Sequence, residues 1–417
     1  MRVTTAFNRL LRLSGVNVTA VEFGTATVTV SVGLRRRRLL CPECPYSTRA
    51  RYDHRPVDSV WRHLDLGAWR LEVRARLRRL ECPSHGVRTE EVPFARPVED
   101  SGFTYDFEHL VAWLATRMDK TAITRLTRIT WRTVGRIIER VAADELDPSR
   151  LEDLFEIGVD EISWRKHHHY LSLVANHRTA KVVWGAPGRD AATLDGFFEE
   201  LGPERSKRIT AVSMDMGPAY ARSVRAEGHA PQATICYDPF HVVALGTKAL
   251  DEVRRPIWQQ LRRLPDPEMA KKFKGARWAL LKNPEDLTDR QAETLAAIRR
   301  TGGEMWRAYR LKEALRAVFS HDVTPDEAAE LLGRWCSWAQ RCRLAPFVKL
   351  ARTIRQHLDG ILAAIRLGVN NGRVEGLNNR VRLIVRRAFG FHSAQAALAL
   401  VMLSCGPIEL RLPHERT

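Results

Sequence analysis

The sequence has no long hydrophobic run, few cysteines and too few acidic residues to balance its basic ones. Because no stretch of about 18 or more uncharged apolar residues occurs, we expect no transmembrane helix. No apolar segment follows Arg2, so the amino terminus lacks the pattern of a signal peptide. We therefore expect a cytoplasmic protein in which the seven cysteines are reduced or metal-bound rather than disulfide-paired.

The shortage of acidic residues leaves a net charge of +18, from 67 Lys plus Arg against 49 Asp plus Glu. Such an excess favours a polyanionic partner, and nucleic acid is the commonest one. Arginine greatly outnumbers lysine, which suits bidentate contacts to phosphate and guanine, although a high genomic GC content gives the same bias. The length of 417 residues favours roughly two to four domains.

The first 34 residues alternate apolar and polar side chains in two runs, 18–23 and 25–32. With Gly24 between them, these runs predict a β-hairpin. The four arginines at 35–38 have two interpretations, a solvated edge or a contact to phosphate.

Two short motifs, Cys41-Pro-Glu-Cys44 and Cys82-Pro-Ser-His85, each place two metal-ligand side chains in a tight turn. Together they supply four tetrahedral ligands, as a structural Zn²⁺ requires. Two unrelated pairs of buried residues are the alternative, but the repeated Cys-Pro start favours zinc. Residues 69–80, between the motifs, are predicted to form strands of a zinc ribbon.

Beyond residue 97 the pattern becomes helical, with one helix predicted over 107–116 and two more within 120–140. The residues expected to pack inward are Ile123, Leu126, Ile129, Val134, Ile137 and Ile138, with Thr130 capping the second of the pair. The candidate DNA contacts are Arg125, Arg128, Thr130, Arg132, Thr133 and Arg136. This is the layout of a helix-turn-helix with a basic second helix, and a plain helical hairpin is the alternative.

Residues 155–241 hold five short β-branched or aromatic runs and one helical segment over 190–201, which predict a mixed sheet with helices packed on it. Two of the predicted strands end on a lone carboxylate, Asp160 and Asp215. A carboxylate in such a place is usually hydrogen-bonded or holds a cation. The histidines at 167–169 could bind a metal or lie exposed at a strand start.

From 244 to about 366 the pattern is helical, and a further helix follows the turn at Gly372. Glu375 lies in the first turn of that helix, and a final apolar helix is predicted over 394–404. Positive charge on the helix comes from Arg380, Arg382, Arg386 and Arg387, which are further candidate DNA contacts.

Asp160, Asp215 and Glu375 are a minimal set of carboxylates for two divalent cations that activate a water or 3′-hydroxyl and stabilise a leaving oxygen. Mg²⁺ fits this set, since it uses few carboxylates together with substrate phosphates. Spacing alone does not separate this interpretation from one in which Glu375 only stabilises a helix amino terminus.

Four motifs make the chain resemble bacterial insertion-sequence transposases of the ISL3 family. They are Gly158-Val-Asp-Glu161, Ser213-Met-Asp-Met216, Tyr237-Asp-Pro-Phe-His-Val242 and Val374-Glu-Gly-Leu-Asn-Asn379. The resemblance covers nearly the whole chain, and it implies that Asp160, Asp215 and Glu375 form a DDE triad that binds Mg²⁺ or Mn²⁺. It also implies an active-site role for Asp238 and His241, with His241 supporting the site or contacting DNA rather than binding the metal.

The resemblance implies a multidomain α+β protein in which an RNase H-like α/β catalytic core is interrupted by an all-α insertion. The predicted domains are a β/zinc-ribbon domain (1–98), a helix-turn-helix (99–150), catalytic core (151–263 and 346–417) and the insertion (264–345). That insertion explains the long separation of Asp215 from Glu375. The two Cys-Pro motifs, called knuckles below, depart from compact zinc ribbons in having His85 as a ligand and a long gap between them.

The implied function is that of a transposase that binds double-stranded DNA at terminal inverted repeats, cuts the element ends and joins them to target DNA. A homodimer on DNA, nucleoid association and no membrane partner are expected. Two alternatives stay open: a nuclease of the same fold without strand transfer, and a catalytically silent DNA-binding regulator.

Overall fold

The structure, a computed structural model, describes residues 1–97, 99–165, 168–263, 265, 273, 275–319, 323–369, 372–388 and 390–415, but not the side chains of 372–375 and 378. The chain forms two compact units, one from Met1–Asp147 with Ile384–Thr417 and the other from Pro148–Leu383. The division of these units into the smaller domains predicted from the sequence remains a prediction. Within the described residues, every helix is too short or too polar to span a bilayer.

Fourteen strands are described. They are β1 (Val16–Phe23), β2 (Thr27–Leu34), β3 (Leu39–Leu40), β4 (Ser47–Thr48), β5 (Asp53–His54), β6 (Ser59–Leu66), β7 (Trp69–Ala75), β8 (Arg78–Cys82), β9 (Gly86–Thr89), β10 (Glu156–Arg165), β11 (His169–Asn176), β12 (Lys181–Pro187), β13 (Ala211–Met214) and β14 (Thr234–Tyr237).

Short 3₁₀ turns lie between some of the helices. The α-helices are α1 (Val3–Leu11), α2 (Tyr105–Ala115), α3 (Lys120–Thr127), α4 (Trp131–Asp144), α5 (Ala191–Leu201), α6 (Pro203–Ser206), α7 (Pro218–Arg225), α8 (Pro239–Leu261), α9 (Arg277–Leu281), α10 (Asp289–Thr301), α11 (Gly303–Ala317), α12 (Pro325–Arg341), α13 (Ala345–Gln356), α14 (Leu358–Leu367), α15 (Gly372–Arg387) and α16 (Ala394–Cys405).

The first unit begins with a four-stranded sheet in the order β1-β2-β7-β6. β1 and β2 pair antiparallel, which confirms the predicted hairpin. Val30, Val73 and Trp61 are fully buried on the inner face, and the Trp61 indole donates to the Arg96 carbonyl at 3.1 Å. The segment predicted as zinc-ribbon strands is divided, because β7 joins β2 in this sheet while β8 joins β5 and β9 in a smaller one.

Helices α2, α3 and α4 follow in the first unit, as predicted. The side chain of Thr130 accepts from the Thr133 amide at 3.2 Å and caps α4, and Val134, Ile137 and Ile138 are buried. The inward placement of Leu126 is wrong, since its side chain is 59% exposed. Thr127 takes the buried position instead, because its hydroxyl satisfies the Ile123 carbonyl at 2.7 Å.

The carboxy-terminal helix α16 completes the first unit by packing on α4 and α2. The Ser393 hydroxyl caps it by accepting from the Ala396 amide at 3.1 Å. Leu400, Val401 and Leu403 are buried, so this apolar helix, which the sequence predicts, is part of the core of the unit.

The second unit is built on a five-stranded sheet in the order β12-β11-β10-β13-β14. β10, β11 and β12 are antiparallel, while β13 and β14 run parallel to β10, so the predicted mixed sheet is confirmed. Helices α5 and α7 supply the connections to the two parallel strands, as parallel pairing requires. Leu194, Phe197, Val212 and Met214 are fully buried between α5 and the sheet.

The remaining helices of the second unit include the 23-residue α8, which packs against α11 and α13. Between 264 and 345, the described residues form helices and turns and no strand, and the assignment of this range as an insertion remains a prediction. Helix α14 lies against β14, where Gly360 allows the close approach. A side-chain Cβ at Gly360 would lie 2.5 Å from a ring carbon of Tyr237.

Candidate functional site

The register of the second unit's sheet aligns two of the predicted catalytic carboxylates. β10 and β13 are parallel, and their last pair is Gly158 with Ser213. Asp160 and Asp215 each lie the same short distance beyond this pair, so both reach the same edge of the sheet. Asp215 directly follows β13, as predicted, but the strand-end position predicted for Asp160 is wrong. β10 continues to Arg165 because β11 pairs with it on the other side.

Asp238 and His241 come to this edge at the start of α8. The Asp238 carboxylate caps the helix by accepting from the Phe240 amide at 3.0 Å, and Pro239 occupies the first turn, where its missing N–H costs nothing. The Nε2 atom of His241 lies 2.7 Å from Oδ1 of Asp215 and 3.8 Å from Oδ2 of Asp238. The structure therefore brings Asp215, Asp238 and His241 together.

The charge around His241 favours its protonated form. Burial by itself would lower the pKa of His241, but the hydrogen bond to Asp215 and the charges of Asp215, Asp238 and Asp160 outweigh it and raise the pKa. The raised pKa of His241 reports a concentration of negative charge at this point. Such a concentration is what a divalent cation requires of its protein ligands.

A cleft of about 600 Å³ opens over these residues. Asp160, Glu161, Asp215 and His241 line it, together with the cations Arg189 and Lys248. Burial raises the pKa of Glu161, Arg189 opposes that shift, and Asp215 adds to it. The cleft thus combines carboxylates for a cation with positive charges for an anion.

Two cations of the cleft were not predicted from the sequence. Lys248 is one helical heptad after His241, so the periodicity of α8 could have placed both on one face. Arg189 had no such signal, because its position depends on the turn after β12. Its guanidinium carbon lies 4.5 Å from the ring centroid of Tyr170, a cation–π contact that holds the side chain at the cleft.

The third predicted carboxylate, Glu375, lies in α15, but its side chain is outside the described residues. Its distance from Asp160 and Asp215 therefore remains a prediction. His167 is also outside the described residues, whereas His168 and His169 are exposed at the start of β11, which agrees with the second interpretation of this tract.

The first unit contains a separate metal-binding cluster, made by Cys41, Cys44, Cys82 and His85. The ligand atoms lie within 4.8 Å of one another. The Sγ atoms of Cys44 and Cys82 are 3.6 Å apart, and Nδ1 of His85 lies 3.6 Å from the Cys82 sulfur and 3.7 Å from the Cys41 sulfur. A tetrahedral ion with metal–sulfur bonds near 2.3 Å separates its sulfurs by about 3.8 Å, so the cluster can hold zinc.

Local turns build this cluster. The first knuckle lies between β3 and β4, and the second is the turn between β8 and β9. Although burial raises the pKa of Cys82, hydrogen bonds from the Ser84 and His85 amides, with those from the side chains of His85 and Cys44, lower it to about 6. The Cys82 sulfur therefore loses its proton more readily than that of a free cysteine, and the resulting thiolate is the form that binds a metal ion.

The candidate DNA contacts of the helix-turn-helix fall into two groups. Arg125, Arg132 and Arg136 are exposed and Thr133 is half-buried, while Thr130 caps α4. Arg128 ends α3 in the left-handed conformation, and its guanidinium binds the Asp65 carboxylate at 3.0 Å and the Ala68 carbonyl at 3.0 Å. Its charge is therefore used partly within the unit.

The arginines of α15 also differ in their surroundings. Arg380, Arg382 and Arg386 are exposed, whereas Arg387 donates to the Ala115 and Thr116 carbonyls at 3.3 and 2.8 Å. Arg387 thus caps the carboxy-terminal end of α2, which is a structural use of its charge.

Comparison with known proteins connects these features. A family model described as "Transposase", of the ISL3 DDE type, matches residues 157–400, and the model for the "Helix-turn-helix domain of transposase family ISL3" matches residues 90–142. Among curated proteins, the transposase for insertion sequence element IS1557 of Mycobacterium tuberculosis is 45% identical over 382 residues, which cover 87% of this chain and 85% of the relative. The transposase for insertion sequence element IS1001 of Bordetella parapertussis is 30% identical over 374 residues, with coverages of 88% and 89%. The chain therefore belongs to the ISL3 family of transposases.

Proposed function

We propose that this transposase binds the terminal inverted repeats of its own element, hydrolyses the DNA at the element ends and joins the resulting 3′-hydroxyls to target DNA. The alignment of Asp160 and Asp215 in one cleft, with His241 2.7 Å from Asp215, carries the proposal. Membership of a transposase family supports the choice of DNA as substrate.

We infer that the catalytic domain has the RNase H-like fold. Support comes from the strand order β12-β11-β10-β13-β14, in which three antiparallel strands precede two parallel ones. Helices α9 to α12, within residues 264–345, would then be an insertion between the second and third catalytic carboxylates.

Asp160, Asp215 and Glu375 would hold Mg²⁺ or Mn²⁺. Such ions, when bound, lower the pKa of an attacking water or 3′-hydroxyl and stabilise the leaving oxygen. The protein's own residues supply the rest: Arg189 and Lys248 bind the phosphates of the strand in the cleft, and His241 orients Asp215 through their contact.

In the first unit, Cys41, Cys44, Cys82 and His85 hold a Zn²⁺ ion with a structural role, because four protein ligands leave no open position for catalysis. The same unit would bind the terminal repeats through α4, whose exposed Arg132 and Arg136 face solvent at the position of a recognition helix. Arg125 and Arg386 of the first unit add phosphate contacts, and Arg380 and Arg382 are candidate phosphate contacts of the second unit. Joining two element ends requires at least a homodimer on DNA, acting at the nucleoid.

The test is a cleavage and strand-transfer assay on a labelled element-end duplex with Mg²⁺. Wild type is expected to nick and join the DNA, and Asp215→Ala to bind it with neither reaction. Asp153→Ala, which removes an exposed carboxylate of the same unit paired with Arg208, is the matched control and should keep both reactions.

The assay separates the alternatives by product. Cleavage without joined product identifies a nuclease, and DNA binding by wild type without cleavage identifies a silent regulator. Equal activity of wild type and Asp215→Ala excludes Asp215 as a catalytic ligand. Full activity of a monomer on paired ends contradicts the homodimer.

A further inference from the structure

A groove of about 510 Å³ runs along α4 in the first unit, and its second wall is a segment from the opposite end of the sequence. On the helix side it is lined by Trp131, Arg132 and Arg136 of α4, with Lys120 of α3. Phe391 and His392, which precede α16, line the other side. These six residues define what we call the α4 groove.

The helix side of the α4 groove has an exposed aromatic ring among fixed charges. Trp131 is 50% exposed at the first position of α4, and the Lys120 ammonium lies 5.5 Å from its ring centroid. Gly135 leaves room between them, because a Cβ at this position would come within 3.2 Å of that ammonium. Trp131 and Phe391 both line the groove, so two aromatic rings lie among its charges.

The carboxy-terminal side of the α4 groove is held in place rather than loosely attached. Helix α16 begins two residues after His392, is capped by Ser393 and packs on α4 and α2. At the other end of the segment, Gly390 adopts a φ of +108°, which favours glycine. The His392 side chain is 68% exposed, and its Nε2 lies 3.6 Å from a Glu139 carboxylate oxygen of α4.

The charges of the α4 groove match a polyanion. Lys120, Arg132 and Arg136 oppose the single carboxylate of Glu139, and His392 adds a hydrogen-bond donor on the far wall. A helix lying in the major groove of DNA has a phosphate backbone on each side of it. One backbone strand would therefore lie over the open side of the groove, next to Lys120, Arg132 and Arg136 on one wall and His392 on the other.

We propose that residues 390–392 form a second wall of the DNA-binding surface, which holds one backbone strand of the element-end duplex against α4. In this arrangement His392 donates to a phosphate, and the Trp131 and Phe391 rings pack against deoxyribose. The proposal rests on the proposed binding of DNA by α4. It assigns part of end recognition to a segment far from the helix-turn-helix in sequence.

The test is a charge series at one exposed position of the intact protein: His392→Arg, wild type and His392→Glu. Affinity for a fluorescent element-end duplex is measured by anisotropy at several salt concentrations. We expect His392→Arg to bind about threefold more tightly, with a salt slope steeper by about one, and His392→Glu to bind about tenfold more weakly. His414→Ala removes a similarly exposed histidine of the same unit, 76% exposed, and should change nothing.

Arg132→Ala separates the two proposals. If it weakens binding while the His392 series stays within about twofold of wild type, the segment is not part of the DNA surface and the role of α4 stands. If His392→Glu binds DNA more tightly, the segment covers α4 rather than assisting it, and the proposal is overturned. If neither Arg132→Ala nor the series changes binding, DNA recognition by α4 itself is excluded.

Discussion

At the scale of the residue, the cleft of the second unit depends on charges of opposite sign kept close but not cancelled. Carboxylates line it with Arg189 and Lys248, and the guanidinium carbon of Arg189 lies 4.5 Å from the centroid of the Tyr170 ring. Because an aromatic ring attracts a cation without neutralising it, the guanidinium keeps its charge for a phosphate.

Replacing Arg189 tests this arrangement. We expect Arg189→Ala to reduce the cleavage rate about tenfold to hundredfold at saturating DNA, because a charge that stabilises the reacting phosphate is lost. Arg189→Lys should recover part of the rate. Arg178→Ala is the matched control. The Arg178 guanidinium carbon lies 4.4 Å from the centroid of the Phe155 ring, and neither residue lines the cleft. Equal losses in both alanine variants would mean that stacking, not phosphate contact, is the role of Arg189.

Asp251 in α8 gives a residue-scale prediction for acid. Burial raises the pKa of Asp251, but hydrogen bonds from Arg254 and Arg255, at 2.8 Å each, lower it below the ordinary value of 3.8. Because the pKa of Asp251 is lower in the folded than in the unfolded protein, its carboxylate stabilises the fold at any pH above the unfolded-state pKa. That stabilisation is lost as the pH falls through the folded-state pKa.

We therefore expect amide exchange in α8 at pH 7 to be faster in Asp251→Asn than in wild type. The free energy of opening the helix should be lower in the variant by about 1–2 kcal/mol. The difference should shrink as the pH falls below about 4, because both proteins then lack the carboxylate. A difference that stays constant down to pH 2 would show that the charge is not its source.

At the scale of the element, the contact between α14 and β14 is limited by one glycine. Gly360→Ala places a methyl group against the Tyr237 ring in a packed interior, and we expect it to destabilise the second unit by about 1–3 kcal/mol. Gly333→Ala is the control, because Gly333 is exposed within α12 with nothing near its Cβ position, and alanine there should stabilise by about 0.5–1 kcal/mol. Thermal unfolding compares the two, and a shift of the same sign in both would contradict the packing argument.

The knuckles between β3 and β4 and between β8 and β9 give a second element-scale prediction. Cys44→Ser is expected to reduce bound zinc from about one ion per chain to well below one, because a tetrahedral structural site needs all four ligands. Cys336→Ser, in the second unit, should leave the zinc content unchanged. Elemental analysis of the purified proteins decides it, and zinc that persists in Cys44→Ser would place the metal elsewhere.

Elements with a local signal were predicted well from the sequence. The hairpin of β1 and β2, the capped helix α4 and the knuckle motifs all depend on neighbouring residues. Periodicity alone predicts an inward Leu126, because it does not reveal that Thr127 can bury its hydroxyl on a backbone carbonyl. The extension of β10 past Asp160 depends on pairing with β11, which no pattern within β10 itself specifies.

At the scale of the whole molecule, the first unit contains segments from both ends of the sequence, Met1–Asp147 and Ile384–Thr417. The sequence patterns do not predict this arrangement. The apolar character of α16 predicts that it is buried, but not against which helices. Its packing on α4 and α2 joins residues from the two ends of the chain in one core. Arg387, a predicted DNA contact, caps α2 because the chain has already returned to the first unit at this residue.

Removal of residues 394–417 tests that arrangement. Without Leu400, Val401 and Leu403, the apolar sides of α2 and α4 that α16 covers are exposed. We expect the truncated protein to unfold at a lower temperature and to lose most of its affinity for element-end DNA. The conservative variant Leu403→Met, which keeps the core filled, should retain both properties. An unchanged melting temperature and DNA affinity after truncation would show that α16 is dispensable for the unit.

The division of the first unit between the two ends of the chain also sets an order of events during synthesis. The ribosome makes Met1–Asp147 before the second unit and α16 after it. The core under α4 can be completed only after α16 has been made, because α16 packs on α4 and α2. This transposase therefore completes the unit that holds its helix-turn-helix only after the second unit, with the predicted carboxylates Asp160 and Asp215, has been synthesised.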